Sequence, residues 1–369
     1  MRPLRIGVNA LYLIPGAVGG TEIYLRGLLA ALAEIDASNQ YFVFTNRETG
    51  PDLTPERANF TAMPQPIRAA SRPIRILWEQ IALPLAAARL QLDVLLNPGF
   101  TAPLAAPCPQ VTVFHDLQHV RHPEYFRWFD LPFWKMLLFG SAHVSRTLLA
   151  ASAATAADLL SHYRLPERKV RVVLLGMDAI FFDLARRRRP EPFLLAVSTL
   201  HPHKNLDGLL RAFAEFHRHE PGYRLTVCGL HGFFTGPLHE LRSSLGLEGA
   251  VDFPGWIPRA DLHDLYARAW AFVYPSLFEG FGIPVLEALA AGVPTACSDI
   301  EPIAGIAGDA ALRFDPRDPA AMVAALRRIT GDEALRQRLA EAGPKRAAQF
   351  SWNATAKATL NALEDCVDL

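Results

Sequence analysis

Short continuous apolar runs alternate along this chain with longer stretches in which apolar residues recur every three or four positions. The runs at 5–10, 41–45, 60–63, 94–97, 110–116, 147–150 and 169–175 read as buried strands, since a strand covered on both faces needs no polar alternation. Between them, 21–33 has helical spacing on Ile23, Leu28, Leu29 and Leu32. Residues 74–90 and 155–162 read as further helices, and Pro84 predicts a kink or break inside the first of these two. The alternation restarts after Pro190, with strands expected at 193–197, 224–229, 251–255, 269–274 and 295–298. Helices are expected at 206–217, 262–268, 319–330, 332–348 and from about 355 onward. Strand–helix alternation in both halves predicts an α/β protein of two doubly wound, Rossmann-like domains facing a cleft. Four arginines at 186–189, followed by Pro190-Glu191-Pro192, read as an exposed linker and put the domain boundary at 188/189.

The stretch 274–295, YPSLFEGFGIPVLEALAAGVPT, concentrates candidate chemistry. A strand ends at Tyr274, a turn follows, and a helix is expected to open near Ile283, with Pro284 in its first turn and Gly292 just past its end. Gly280 and Gly282 let the backbone approach a ligand, and the amides near Phe281, Gly282 and Ile283 form an anion site at the helix start. Glu279 in the loop and Glu287 in the early helix could hold hydroxyls, so a nucleotide sugar would satisfy the whole unit. A plain strand–loop–helix unit with two solvated glutamates has the same sequence.

Composition narrows the classes. The chain has 369 residues, about two domains' worth, and half are hydrophobic. Lys+Arg and Asp+Glu are both 37, a neutrality that argues against a nucleic-acid binder. The 4 cysteines are far apart and show no metal-ligand spacing, so neither a metal site nor a disulfide framework is expected. The N-terminal MRPLRIGVNALYLIPG could pass for a signal peptide, but Asn9 interrupts it and no cleavage site follows, so a first strand is the better reading. No run reaches the ~18 apolar residues of a spanning helix, and a cytoplasmic protein is expected, with peripheral attachment to the inner face of the membrane left open. The aromatic stretch 125–139, YFRWFDLPFWKMLLF, reads either as core and cleft wall or as a greasy face toward an acceptor or a membrane interface.

Two further spots carry chemistry. His115-Asp116 ends a strand, where open parallel sheets bind ligands, although single histidines are more often structural. Lys204-Asn205 closes the loop 198–205, STLHPHKN, just before a helix, where a cation beside helix-start amides suits a diphosphate.

Glu279-Gly-Phe-Gly-Ile-Pro-Val-Leu-Glu287, with Pro275-Ser276 before it and Ala290-Ala-Gly-Val-Pro294 after it, resembles the two-glutamate signature of retaining glycosyltransferases of family 4, which have the GT-B fold. The resemblance covers nearly the whole chain and is strongest from Lys204 to Pro294. It implies that Glu279 and His115 hold the donor hexose, Glu287 the ribose, and Lys204 the leaving diphosphate. Gly19 and Gly20 match a glycine pair near the donor phosphates and acceptor, and Asn205 matches the residue after the lysine. His203 departs from the pattern, standing where arginine is common. The resemblance also implies that the segment 351–369, opened by Ser351-Trp352, is a helix crossing back to the N-domain, leaving 1–188 as the acceptor-side domain and 189–350 as the nucleotide-sugar domain. The reading that results is a hexosyltransferase without a metal or other cofactor. The segment 200–205 resembles bacterial mannosyltransferases of polysaccharide assembly, favouring GDP-mannose as donor and a glycan or lipid-linked acceptor. A nucleotide-sugar epimerase or hydrolase on the same fold and a non-catalytic nucleotide-sugar-binding subunit are the alternatives.

Overall fold

The computed structural model describes residues 2–49, 53–232 and 234–368. The chain divides into two compact units, Met1–Gly176 with Ser351–Leu369, and Met177–Phe350.

The first unit is built on β1 (Arg5–Asn9), β2 (Gln40–Thr45), β3 (Phe60–Pro64), β4 (Val94–Asn97), β5 (Gln110–Phe114), β6 (Thr147–Ala150) and β7 (Val170–Val172). Their order is β3-β2-β1-β4-β5-β6-β7 and the pairings are parallel. Its helices are α1 (Gly20–Ile35), α2 (Arg72–Arg89), α3 (Gln118–Arg121), α4 (Leu131–Val144) and α5 (Ala153–Tyr163). On α1 the buried set is Tyr24, Leu25, Leu28, Leu29, Ala31 and Leu32, a helical stripe in which the two residues after the expected Ile23 take its place. Ser152 caps α5, its hydroxyl accepting from the Thr155 amide at 3.1 Å. The last expected strand shrinks from 169–175 to Val170–Val172.

The second unit carries α6 (Ala179–Ala185), β8 (Glu191–Val197), α7 (Leu206–His219), β9 (Arg224–Cys228), α8 (Thr235–Ser244), β10 (Val251–Gly255), α9 (Arg259–Arg268) and β11 (Ala269–Tyr274). It continues through α10 (Ile283–Ala290), β12 (Thr295–Ser298), α11 (Ile303–Ala307), β13 (Leu312–Phe314), α12 (Pro319–Gly331) and α13 (Glu333–Ala347). Its sheet, β10-β9-β8-β11-β12-β13, is again parallel. The core gathers Leu206, Leu209, Leu210, Phe213 and Phe216 of α7 against β8, β9 and α12. The expected alternation missed α6, α8, α11 and the short β13.

The final helix, α14 (Trp352–Asp368), belongs to the first unit, as the resemblance implied. Thr355 Oγ1 donates to the Leu174 carbonyl at 2.7 Å, Arg146 reaches the Cys366 carbonyl at 2.8 Å, and the Trp352 ring lies over Gly27 of α1.

Three local expectations change. α2 does not break at Pro84: it runs unbroken from Arg72 to Arg89, because Leu83 and Ala87 on either side of the proline are buried in one apolar cluster. The division of the chain falls at Gly176/Met177 rather than 188/189. The arginines 186–189 are already part of the second unit, with Arg188 donating to the Tyr266 and Ala269 carbonyls at 3.3 and 2.7 Å and Arg189 pairing with Asp264. Within 125–139, the residues Trp128, Phe129, Phe133, Met136 and Phe139 are exposed, so much of the aromatic stretch is not core.

Candidate active site

In an open parallel sheet the chain runs outward from one strand, then returns to start again beside it, and ligands bind past the carboxyl ends of the two strands at that switch. In the second unit those strands are β8 and β11. The loop after β8 delivers Lys204, and the loop after β11 delivers Glu279.

Lys204 Nζ lies 2.5 Å from Glu279 Oε1 and 3.3 Å from the Tyr274 hydroxyl, which itself donates to Glu279 Oε1 at 2.7 Å. The lysine and glutamate side chains are only 14% and 10% exposed, so this is a sheltered pair rather than a surface one. Tyr274 is the last residue of β11 and was not singled out in the sequence; its place at a strand end, five positions before Glu279, is the signal that could have found it. Burial, with Glu279 beside it, pushes the Tyr274 phenol well above its usual range, so it acts as a neutral donor.

Asn205 is placed differently from its expected role at the donor. Its backbone is left-handed at φ 52, and its side-chain amide donates to the Pro275 and Pro316 carbonyls at 3.2 and 2.8 Å. It ties the Lys204 loop to the turn before Glu279. The His203 carbonyl, accepting from Leu277 N at 2.8 Å, makes a second tie between the same loops. Burial and the charge of Lys204 hold the neighbouring His201 below the usual imidazole range.

At the start of α10, Gly282 has φ 115, a conformation that disfavours any side chain, and Pro284 fills the first turn. The amides leading into a helix have no intrahelical acceptor, so Phe281, Gly282 and Ile283 present an anion-favouring backbone beside Glu279. Phe281 contributes backbone only: its ring is buried and packs edge-on against Phe350 at 6.1 Å. Gly292, at φ 63, closes the helix as expected.

Glu287 is not solvated. It is 4% exposed and accepts from the Tyr266 hydroxyl at 3.0 Å. Burial raises its pKa to about 7, with Arg259 and Tyr266 pulling the other way and Asp178 adding to the rise. Arg259 and Asp178 form an ion pair of their own. Trp256, just after β10, is exposed.

The first unit has its own switch between β1 and β4. Gly19 caps α1 at φ 59 with nothing within 4 Å of where a side chain would begin, and Gly20 opens the helix. Glu22 of the first turn accepts from the Gly16 amide at 2.7 Å and fixes the loop. His115 follows β5 directly. Its Nε2 lies 2.9 Å from the Pro98 carbonyl and its ring packs edge-on against Tyr24 and Phe100 at 4.9 and 5.1 Å. A carbonyl only accepts, so Nε2 carries the proton and Nδ1 of the neutral ring is an acceptor. Burial lowers the His115 pKa to about 4, against the pull of that carbonyl, so the ring is neutral at physiological pH. Among the described residues no cluster of three or more His, Cys, Asp or Glu is arranged to hold a metal ion.

Two separately wound parallel sheets, a last helix that rejoins the first, and a lysine beside a phosphate-type helix start are the features of a GT-B glycosyltransferase. The same fold is found in sucrose-phosphate synthase from Thermosynechococcus elongatus, with a TM-score of 0.79 and 20% identity over 99% of each chain. It is found also in WaaG, a glycosyltransferase involved in lipopolysaccharide biosynthesis, with a TM-score of 0.73 and 17% identity over 97% of this chain and 99% of that one. The model for Glycosyltransferase Family 4 matches residues 18–180, and the one for Glycosyl transferases group 1 matches 180–346. The O-antigen chain mannosyltransferase B of Escherichia coli is 30% identical over 267 residues, which cover 68% of this chain and 69% of the relative. The chain belongs to the group 1, family 4 glycosyltransferases and is an enzyme of that class.

Proposed function

We propose that this enzyme moves a hexose, mannose in preference, from a nucleoside diphosphate to a hydroxyl of a growing cell-surface glycan or lipid-linked acceptor, with retention and without a metal. The observation that carries the reading is the sheltered Lys204–Glu279–Tyr274 cluster beside the α10 start. It offers a cation and backbone amides for a diphosphate, and a carboxylate for sugar hydroxyls. GDP-mannose is the favoured donor because the similar protein of Escherichia coli is named a mannosyltransferase.

Lys204 and Glu279 form an ion pair with one another. A bound diphosphate competes for the lysine and releases the carboxylate to the hexose. As the bond from the anomeric carbon to the diphosphate lengthens, negative charge grows on the leaving phosphate, where Lys204 and the amides of Gly282 and Ile283 stabilise it. The acceptor oxygen attacks from the face the diphosphate leaves, and its proton passes to a phosphate oxygen, so no protein nucleophile is required. His115 Nδ1 accepts from a donor hydroxyl. Gly19 and Gly20 keep the backbone near the phosphates open, and Glu287 serves the ribose once Tyr266 shares it.

A thermal-shift panel with GDP, UDP, ADP, dTDP and CMP, each with and without EDTA, tests this. Nucleotide at 100 times its dissociation constant adds ~2.7 kcal/mol of stability. A selective, EDTA-insensitive rise with GDP is expected, and Lys204→Met is expected to abolish it. A selective rise with UDP or dTDP replaces the donor. No rise with any nucleotide overturns the site. With a competent acceptor, Lys204→Met is expected to lower kcat by ~10²–10³-fold.

A further inference from the structure

Helix α2 opens on cations. Arg72 is its first residue, Arg75 follows one turn later, and its first turn holds no acid. A cation at this end opposes the helix dipole, which favours negative charge there. Ser71, at the cap position, makes no side-chain bond to the opening amides. Glu48 does not fill the gap, because it accepts from the amides of Ala69 and Ala70, ahead of the helix, at 2.9 and 3.4 Å.

Burial sharpens the conflict. Arg75 is only 9% exposed, and its Nε is buried without a hydrogen-bond partner among the described residues. Glu79, one turn further along the same face, is engaged elsewhere: it accepts from Thr101 Oγ1 at 2.8 Å and from the Asn9 amide at 3.2 Å. Burial raises the Glu79 pKa against the pull of Arg75 and those donors. Burial also holds the Arg75 guanidinium below its usual range, with Glu79 and Tyr12 pulling back and Arg72 adding to the fall. A buried charge without a hydrogen-bonded partner is costly, so stability does not account for this one.

Topology says where the cation stands. α2 joins β3 to β4 within a parallel sheet, so it runs back against the strands and its start lies beyond their carboxyl ends. Glu79 is bonded to Asn9, the last residue of β1; Arg75, one turn nearer the helix start, therefore lies past that strand end, at the β1–β4 switch. Tyr12, from the loop after β1, is close enough for Arg75 to bear on its hydroxyl, and its ring lies over Gly99 in the loop after β4. Loops from both switch strands thus meet beside an unsatisfied guanidinium and an uncapped helix start. The group that completes them is an oxyanion, since the guanidinium fork matches a phosphate or a carboxylate and helix-start amides favour either. The donor diphosphate has its own cation in Lys204 of the second unit, so the anion here belongs to the other substrate.

We propose that the acceptor carries a phosphate or carboxylate, and that Arg75 and the start of α2 bind it at the switch of the first sheet. This rests on the proposed transfer to an acceptor hydroxyl and narrows the acceptor to an anionic one. The test is a set of melting titrations of the full chain with mannose 6-phosphate, glucuronate, mannose and inorganic phosphate, at constant ionic strength in chloride. Wild type, Arg75→Met and Lys204→Met are compared, and each is also titrated with GDP and UDP. A rise with mannose 6-phosphate or glucuronate, and none with mannose, is expected; which of the two acts tells phosphate from carboxylate. Arg75→Met is expected to raise the apparent dissociation constant for that anion at least ~10-fold and to keep the nucleotide response. Lys204→Met is expected to do the reverse, so loss of the nucleotide response alone counts against the donor site and leaves the anion site standing. Far-ultraviolet circular dichroism reports whether Arg75→Met keeps its fold, and Arg75→Gln carries the same comparison if it does not. An anion response unchanged by Arg75→Met overturns the proposal, as does one removed by Lys204→Met. A wild type that responds to neither sugar anion, or to inorganic phosphate alone, overturns it as well.

Discussion

At the scale of single residues, two carboxylates of one motif live in opposite environments. Glu279 pairs with the lysine 2.5 Å away, whereas Glu287 accepts from a phenol and burial raises its pKa to about 7. The folded protein therefore keeps a proton on Glu287 that the unfolded chain, with the usual value of 4.5, has released. This contribution is complete below about pH 4.5 and is lost as pH rises through 7, on the order of 3 kcal/mol in all. His115 works the other way: lowered from 6.5 to about 4, its contribution is present above 6.5 and lost as pH falls through 4. The two are separated by comparing wild type with Glu287→Gln, which keeps an acceptor for Tyr266. The variant's stability relative to wild type is expected to improve steadily from about pH 5 to pH 8, measured by urea unfolding at each pH. A constant difference across that range would mean that Glu287 ionises normally in the fold. Both glutamates and Lys204 were legible in the sequence as parts of two motifs. Their pairing was not, because 75 residues separate Lys204 from Glu279 and only the β8–β11 neighbourhood brings them together. The burial of Glu287 was not legible either, since it depends on Tyr266 at the far end of α9.

At the scale of elements, the return of α14 to the first unit rests on one close approach. A Cβ built on Gly27 of α1 would sit 2.3 Å from the Trp352 ring, and one on Gly176 would sit 2.2 Å from the Trp352 backbone. Gly27→Ala is expected to destabilise by ~1–3 kcal/mol, outweighing the ~1 kcal/mol that alanine adds to a helix. Gly236→Ala in α8 is the control: nothing lies within 4 Å of its Cβ, so helix propensity alone should make it neutral or stabilising by up to ~1 kcal/mol. Urea midpoints for the pair check this, and a stabilised Gly27→Ala would show that α14 is loosely docked. Hydrophobic periodicity revealed most strands and long helices because burial writes them directly into the sequence. It failed where other forces rule. The 186–189 run looked like a solvated hinge until Arg188 was seen to satisfy carbonyls at the α9–β11 junction. On α2 the period was legible, but which face turns inward was not, since that face mixes Arg75 and Glu79 with Leu83 and Ala87.

At the scale of the whole molecule, the two units share one plan and differ in what stands at the switch of each sheet. In the first, β1 and β4 end in the buried amides Asn9 and Asn97, which bond to each other at 3.2 Å and to neighbouring polar groups. That polar core is satisfied internally. In the second, β8 and β11 end in the Lys204 and Glu279 loops, joined by Asn205 and by the His203–Leu277 bond. An ion pair and hydrogen bonds join the two loops that carry the whole proposed phosphate site. Diphosphate binding adds contacts to both loops at once, so its stabilisation should be local. Amide hydrogen exchange with saturating nucleoside diphosphate is expected to slow most at 198–205 and 276–287, with β9, β10 and β13 little changed. Lys204→Met should remove the protection from both loops together, because the lysine is the group they share. Protection confined to one loop would divide the site and return Lys204–Glu279 to a structural ion pair. Protection spread evenly over the second unit would mean that the nucleotide acts on global stability, with no pre-formed site between the two loops.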